Sequence, residues 1–181
     1  MSDKIENYIA ELQSLLNTGE AKEHAYRPAF AKLIESLIPD IKAINEPAYT
    51  GGNAPDFLFK KGDNPIAYAE CKDITVDLSD PAVQKQAKRY VDAFGKILLT
   101  NYLSFHILDE DGEIVSIAIA EKEGSTIKAL PENFNRLANL IVDYVTPSHR
   151  TIRSAKKLAE IMASKARLLR DNSLAALEEN E

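Results

Sequence analysis

Apolar positions along the chain change period several times, and each change marks a new element. Ile5, Tyr8, Ile9, Leu12, Leu15 and Leu16 recur at helical spacing. They predict an amphipathic helix over residues 3–17, with Gly19 just past its end as a cap. Phe30, Leu33, Ile34, Leu37 and Ile38 predict a second helix over 25–38. Pro28 fits that helix only in its first turn, and Pro39 closes it. Residues 41–48 then read as a short strand, followed by a turn at Thr50-Gly51-Gly52-Asn53-Ala54-Pro55. Residues 56–60 and 65–72 read as a strand pair around Gly62-Asp63-Asn64.

A helix over 80–94 is announced by Ser79-Asp80-Pro81, a capping residue followed by proline at the first helical position. Two strand-like runs fill 96–109, a turn falls at Asp111-Gly112, a strand covers 113–120 and a helix covers 132–145. From Thr151 to about Leu177 a long helical stripe of Ile152, Ala155, Leu158, Met162, Ala166 and Leu169 takes over. This order predicts an α/β fold, a mixed sheet flanked by helices, with a C-terminal helical extension. With 181 residues and 45% hydrophobic content, one sizeable core is expected. There is no internal repeat.

The chemistry concentrates at the strand pair. Pro55-Asp56 opens the first strand, and Glu70-Cys71-Lys72 ends the second. Residues two apart in a strand share a face, so Glu70 and Lys72 project together while Cys71 points the other way. Hairpin-like pairing can bring Asp56 level with Glu70. Two carboxylates so placed suit a hard divalent cation such as Mg²⁺. The cation can activate a bound water, and the neighbouring lysine can position that water or stabilise developing charge. Such residues are also ordinary on a solvated surface. Two features favour a site. The segment before Glu70 (Ile66, Ala67, Tyr68, Ala69) is apolar, and Gln86 and Tyr90 lie one turn apart on one helical face.

The ordered set Pro55-Asp56, Glu70-Cys71-Lys72 and Gln86-x-x-x-Tyr90 resembles the PD-(D/E)XK nuclease superfamily, and the Gln-x-x-x-Tyr is similar to its RecB-type branch. Glu23-His24-Ala25-Tyr26-Arg27-Pro28, Asn45-Glu46-Pro47 and Leu98-Leu99-Thr100-Asn101-Tyr102-Leu103-Ser104-Phe105 extend the likeness. Together they resemble the N-terminal nuclease domain of single-chain restriction–modification enzymes of the type IIG and type ISP kind. The resemblance implies a restriction-endonuclease-like fold over 1–147 and a helical connector over 148–181. It implies Mg²⁺-dependent hydrolysis of double-stranded DNA, with Mn²⁺ able to substitute. Asp56 and Glu70 are then the metal-binding carboxylates, with the backbone carbonyl of Cys71 as a further ligand. Lys72 is the catalytic lysine, Glu23 completes the site, and Gln86 and Tyr90 contact DNA or support the site. Glu46 reads equally well as a site residue or a strand-end residue. Lys85, Lys88 and Arg89 read either as phosphate contacts or as a solvated helix face. The resemblance also implies partners in the same polypeptide, a methyltransferase and a target-recognition region. Cutting both strands needs either two active sites, as a dimer would provide, or two visits by one.

Charge and cysteine content bound this picture. The single cysteine, Cys71, rules out an internal disulfide framework and a zinc site built mainly of cysteines. No apolar run approaches the roughly 20 residues of a membrane span, and the N-terminus lacks a signal-peptide pattern, so a cytoplasmic protein is expected. The net charge of −6 argues against a protein that coats phosphate backbones. However, residues 148–170 carry seven basic side chains against Glu160 alone, a formal +6 that leaves −12 for the remainder. Part of that acidity is the proposed metal site. A second class of function fits the charge as well, a non-catalytic nuclease-fold module that positions DNA or binds a protein. His24, His106 and His149 are scattered and suggest no triad, and Gly51-Gly52 lacks a phosphate-loop signature.

Overall fold

The computed structural model describes residues 2–48, 54–110 and 112–146, together with 162, 163, 166 and 170. The chain opens with helix α1 (Ser2–Asn17), whose Ile5, Tyr8, Ile9 and Leu12 are buried. A single 3₁₀ turn (Glu23–Tyr26) runs directly into α2 (Arg27–Leu37), and Pro28 falls in its first turn as its missing N–H requires. Six strands follow: β1 (Ile41–Asn45), β2 (Phe57–Lys61), β3 (Asn64–Cys71), β4 (Lys96–Thr100), β5 (Ser104–Asp109) and β6 (Gly112–Ala118). Between β3 and β4 lies α3 (Pro81–Phe94), capped by Asp80, whose Oδ1 accepts the Ala82 N–H at 2.7 Å. Gly95 ends α3 in the left-handed conformation (φ 81°), which suits a residue without Cβ.

The six strands form one sheet in chain order. All neighbours are antiparallel except β3 and β4. A parallel pair needs a crossover, and α3 supplies it. The expected mixed sheet flanked by helices is therefore found. Alternation along the strands sorts the core into two layers. Phe57, Phe59, Ala69, Cys71, Leu98 and Phe105 pack with α1, α2 and α4 (Phe134–Val145). Tyr68, Ile97, Leu99 and Leu108 pack with Ala87, Tyr90 and Val91 of α3 on the other side. None of the described helices is long and apolar enough to cross a membrane.

The structure departs from the sequence reading in three places. The first strand stops at Asn45 rather than 48, because Glu46 adopts a left-handed φ of 49° and cannot continue an extended ladder. The second strand of the pair stops at Cys71, although the Lys72 N–H still donates to the Thr100 carbonyl at 2.8 Å. The strand expected to reach residue 120 stops at Ala118, and a hairpin of β7 (Ala120–Glu123) and β8 (Thr126–Ala129) follows in a stretch that carried no expectation beyond residue 120. Most of the glycine-rich turn, Asp111 and nearly all of the expected connector lie outside the described residues. Met162, Ala163, Ala166 and Arg170 are helical and exposed.

Candidate active site

The antiparallel register sets the site. Phe57 pairs with Ala69, so the next step places Asp56 level with Glu70 at the end of β3. The Asp56 Oδ2 accepts the backbone N–H of Cys71 at 2.7 Å. The Glu70 side chain shares the α3 face with Tyr68, and only 5% of it is exposed. Its Oε1 accepts from Lys72 Nζ at 2.7 Å and from Gln86 Nε2 at 2.7 Å. Its Oε2 is buried without a hydrogen-bond partner. Cys71 points to the opposite layer and is fully buried there, and burial first, then the charge of Asp56, pushes its thiol well above the ordinary range. The thiol is thus no nucleophile at neutral pH.

α3 brings Gln86 and Tyr90 to the site. The Tyr90 hydroxyl donates to the Ala54 carbonyl at 3.1 Å, tying the helix to the segment that precedes Asp56. Burial, then the nearby Glu70 carboxylate, raises its pKa to about 12, so it stays a neutral donor. Lys88 is exposed and two residues from both Gln86 and Tyr90, which turns it away from their face. Arg89, also exposed, flanks that face three residues after Gln86.

One residue that sequence reasoning passed over organises the other side of the site. Arg27 opens α2 and has a side chain only 5% exposed. Its Nη2 donates to Asp56 Oδ1, in an ion pair, and to Glu23 Oε1 at 3.2 Å. Its Nη1 donates to Glu46 Oε1 at 2.8 Å. One guanidinium fork therefore joins carboxylates from the 3₁₀ turn, the end of β1 and the start of β2. Glu46 belongs to the site by geometry. Its N–H donates to the Asp56 carbonyl at 2.8 Å, and its left-handed backbone turns the side chain back to Arg27. Glu23 is held from a further direction, since the Tyr102 hydroxyl donates to its carbonyl at 2.7 Å.

No protein-family model and no curated protein matches the chain. The fold does have a solved counterpart. A chain of the DrdV–DNA complex, determined by cryo-electron microscopy, superposes with a TM-score of 0.62 over 81% of this chain, at 19% identity. The present chain spans only 14% of the length of that DrdV chain. The likeness to DrdV is one of architecture.

The electrostatics follow from the packing. Burial first, then the Asp56 charge, raises the Glu70 pKa above the ordinary glutamate range, against the opposing pull of Lys72. Burial alone would lower Arg27, but the groups around it, Asp56 first, outweigh it and its pKa is raised. A raised carboxyl pKa adds stability below the unfolded-state pKa and loses it as pH rises through the folded one. Metal-free protein is therefore expected to lose a component of its stability as pH climbs from about 4 through the raised pKa of Glu70. The Glu70→Gln variant should lack that component. The difference in melting temperature between the two across this range measures it, and parallel profiles would disprove it.

The residues suit a small divalent cation. Glu70 Oε2 is a buried oxygen with no donor, and Asp56 has a second lone pair on each oxygen beside the bonds described. Among the described residues, no three His, Cys, Asp or Glu side chains form a ready-made metal cage. Mg²⁺ does not need one, because it usually takes one or two carboxylates and completes its octahedron with water and phosphate oxygens.

Proposed function

We propose that the chain is a Mg²⁺-dependent DNA endonuclease domain of the PD-(D/E)XK kind, which hydrolyses phosphodiester bonds. The observation that carries this reading is the buried Glu70, level with Asp56 across the strand pair, with one oxygen fixed by Lys72 and Gln86 and the other without a hydrogen-bond partner. Asp56 and Glu70 would hold the ion, with the Cys71 carbonyl as a third protein ligand. The bound ion would supply Lewis acidity at the phosphate and a more acidic water. Lys72 extends from the same strand end and presents its ammonium to the attacking water and the charged phosphate. Gln86 keeps Glu70 in one rotamer. Tyr90 holds α3 against the strand end, and Arg89 on its exposed flank faces DNA. Mn²⁺, which shares the octahedral oxygen preference, would serve as well.

Double-stranded DNA as the partner is supported by the sequence resemblance and by the architecture shared with DrdV, which was determined in complex with DNA. That chain is far longer, which agrees with a nuclease module followed by methyltransferase and target-recognition regions in one polypeptide. In the full-length protein, Lys72→Ala is expected to lower the Mg²⁺-dependent cleavage rate by about 10²-fold or more. Single-turnover cleavage of supercoiled DNA measures this. An unchanged rate would remove Lys72 from the chemistry and leave the non-catalytic module as the better reading.

A further inference from the structure

The charge inventory of the site is unusual for the number of ions it could recruit. Glu23, Glu46, Asp56 and Glu70 contribute four carboxylates, and Arg27 and Lys72 contribute two cations, leaving a formal −2. Two divalent ions would overcompensate that charge, and one would balance it. The two cations are not equivalent. Lys72 pairs with Glu70, on the side where Oε2 stands buried and unpartnered. Arg27 lies on the other side, bonded to Glu23, Glu46 and Asp56 at once, and its own Nε is buried without a partner. A buried guanidinium is held this tightly only where anionic partners surround it.

Resting on the nuclease reading above, we infer that Arg27 is a built-in cation that takes the place of a second metal ion, so that this site binds one divalent ion, between Asp56 and Glu70. Arg27 keeps Glu23 and Glu46 neutralised in the absence of metal. The planar fork reaches three carboxylates without drawing them to a common point. Glu46 holds Arg27 from the solvent side, and its left-handed backbone is the local distortion that allows this. Arg27 is in this sense a positioning residue, acting on the ion through Asp56.

Titration of the full chain with Mn²⁺, counting bound ions by electron paramagnetic resonance, is expected to give one ion per chain. Two ions per chain would overturn the inference and leave the nuclease reading intact. No bound ion would overturn the nuclease reading on which it rests. A second measurement follows the thermal transition with and without Mg²⁺. Arg27→Gln leaves Glu23 and Glu46 without their cation, so Mg²⁺ should raise its melting temperature by about twice the wild-type shift or more. If that variant unfolds in chelator, millimolar Mg²⁺ should restore a cooperative transition. Arg27→Lys keeps the charge and should show the wild-type shift. A Mg²⁺ shift in Arg27→Gln equal to that of the wild type, or failure of Mg²⁺ to restore folding, would mean that Arg27 serves the fold alone.

Discussion

Asp56→Ala is expected to abolish cleavage, lowering the Mg²⁺-dependent rate of the full-length protein by about 10³-fold or more. Asp56 serves three groups at once. It would offer oxygen to the proposed ion, and it accepts the Cys71 N–H at 2.7 Å and pairs with Arg27. Alanine removes all three. The Cys71 N–H then loses its acceptor, and Arg27 keeps only Glu23 and Glu46. Stability should fall by about 1–3 kcal/mol from the unsatisfied groups, less than for a buried charge stripped of every partner. Asp56→Asn separates the two effects. Its amide oxygen can still accept the Cys71 N–H, while its NH₂ replaces the oxygen that pairs with Arg27, so the melting transition should fall less than in Asp56→Ala while cleavage is lost. Cleavage by the asparagine variant at the wild-type rate would show that the carboxylate charge has no part in the chemistry.

The half of the site built on β2 and β3 was legible because strand geometry is periodic. Glu70 and Lys72 had to share a face, Cys71 had to oppose them, and a hairpin register had to bring Asp56 near. Gln86 and Tyr90 were legible for the same reason on a helix. Arg27 was not. An arginine at the start of an amphipathic helix, next to a proline, looks like any solvated first-turn residue. Its burial comes from Glu23, Glu46 and Asp56, which lie on three separate elements and meet only in three dimensions. The available signal was the crowding of Glu23, Arg27, Glu46 and Asp56 in the segments that carry the family resemblance. Lys88 was legible only as an open choice between a phosphate contact and a solvated helix face, and its exposed place away from the face of Gln86 and Tyr90 fits either.

Fold elements follow the same division. The sheet was readable where apolar residues alternate. The hairpin β7–β8 was not, because its buried residues are few and charges such as Glu121, Lys122, Glu123 and Lys128 dominate it. It is fixed from outside, by Gln13 of α1, whose side chain donates to the Ser125 carbonyl at 2.9 Å and accepts the Ile127 N–H. The β4–β5 turn is also a tertiary feature. Tyr102 takes a left-handed φ of 71°, a costly conformation for a bulky residue. Its N–H donates to Thr100 Oγ1 at 2.9 Å, and its hydroxyl reaches Glu23 across the molecule. The local strain places a ring and a hydroxyl where the site's 3₁₀ turn needs them.

Phe30→Ala is expected to have the largest effect on folding, about 3–5 kcal/mol. Phe30 is fully buried in α2, and its ring lies 5.2 Å from Phe57, 6.2 Å from Phe59, 6.3 Å from Tyr102 and 6.2 Å from Phe105. These four rings come from β2, the β4–β5 turn and β5, so one side chain joins α2 to most of the sheet face that carries the site. Truncation would remove the edge-to-face contacts with Phe57 and Phe59 and leave a cavity that rings fixed in separate strands cannot readily collapse to fill. The loss should reach the chemistry too, because Arg27 lies one turn before Phe30 and Asp56 directly precedes Phe57. Urea denaturation should show a lower midpoint with an unchanged slope, and Mn²⁺ affinity should fall under conditions where the variant is still folded. Phe30→Leu fills most of the space and should cost much less, with Mn²⁺ binding near wild type. If Phe30→Ala loses stability and keeps full Mn²⁺ affinity, then the polar bonds of Arg27 to its three carboxylates hold the site together without help from the core beneath it.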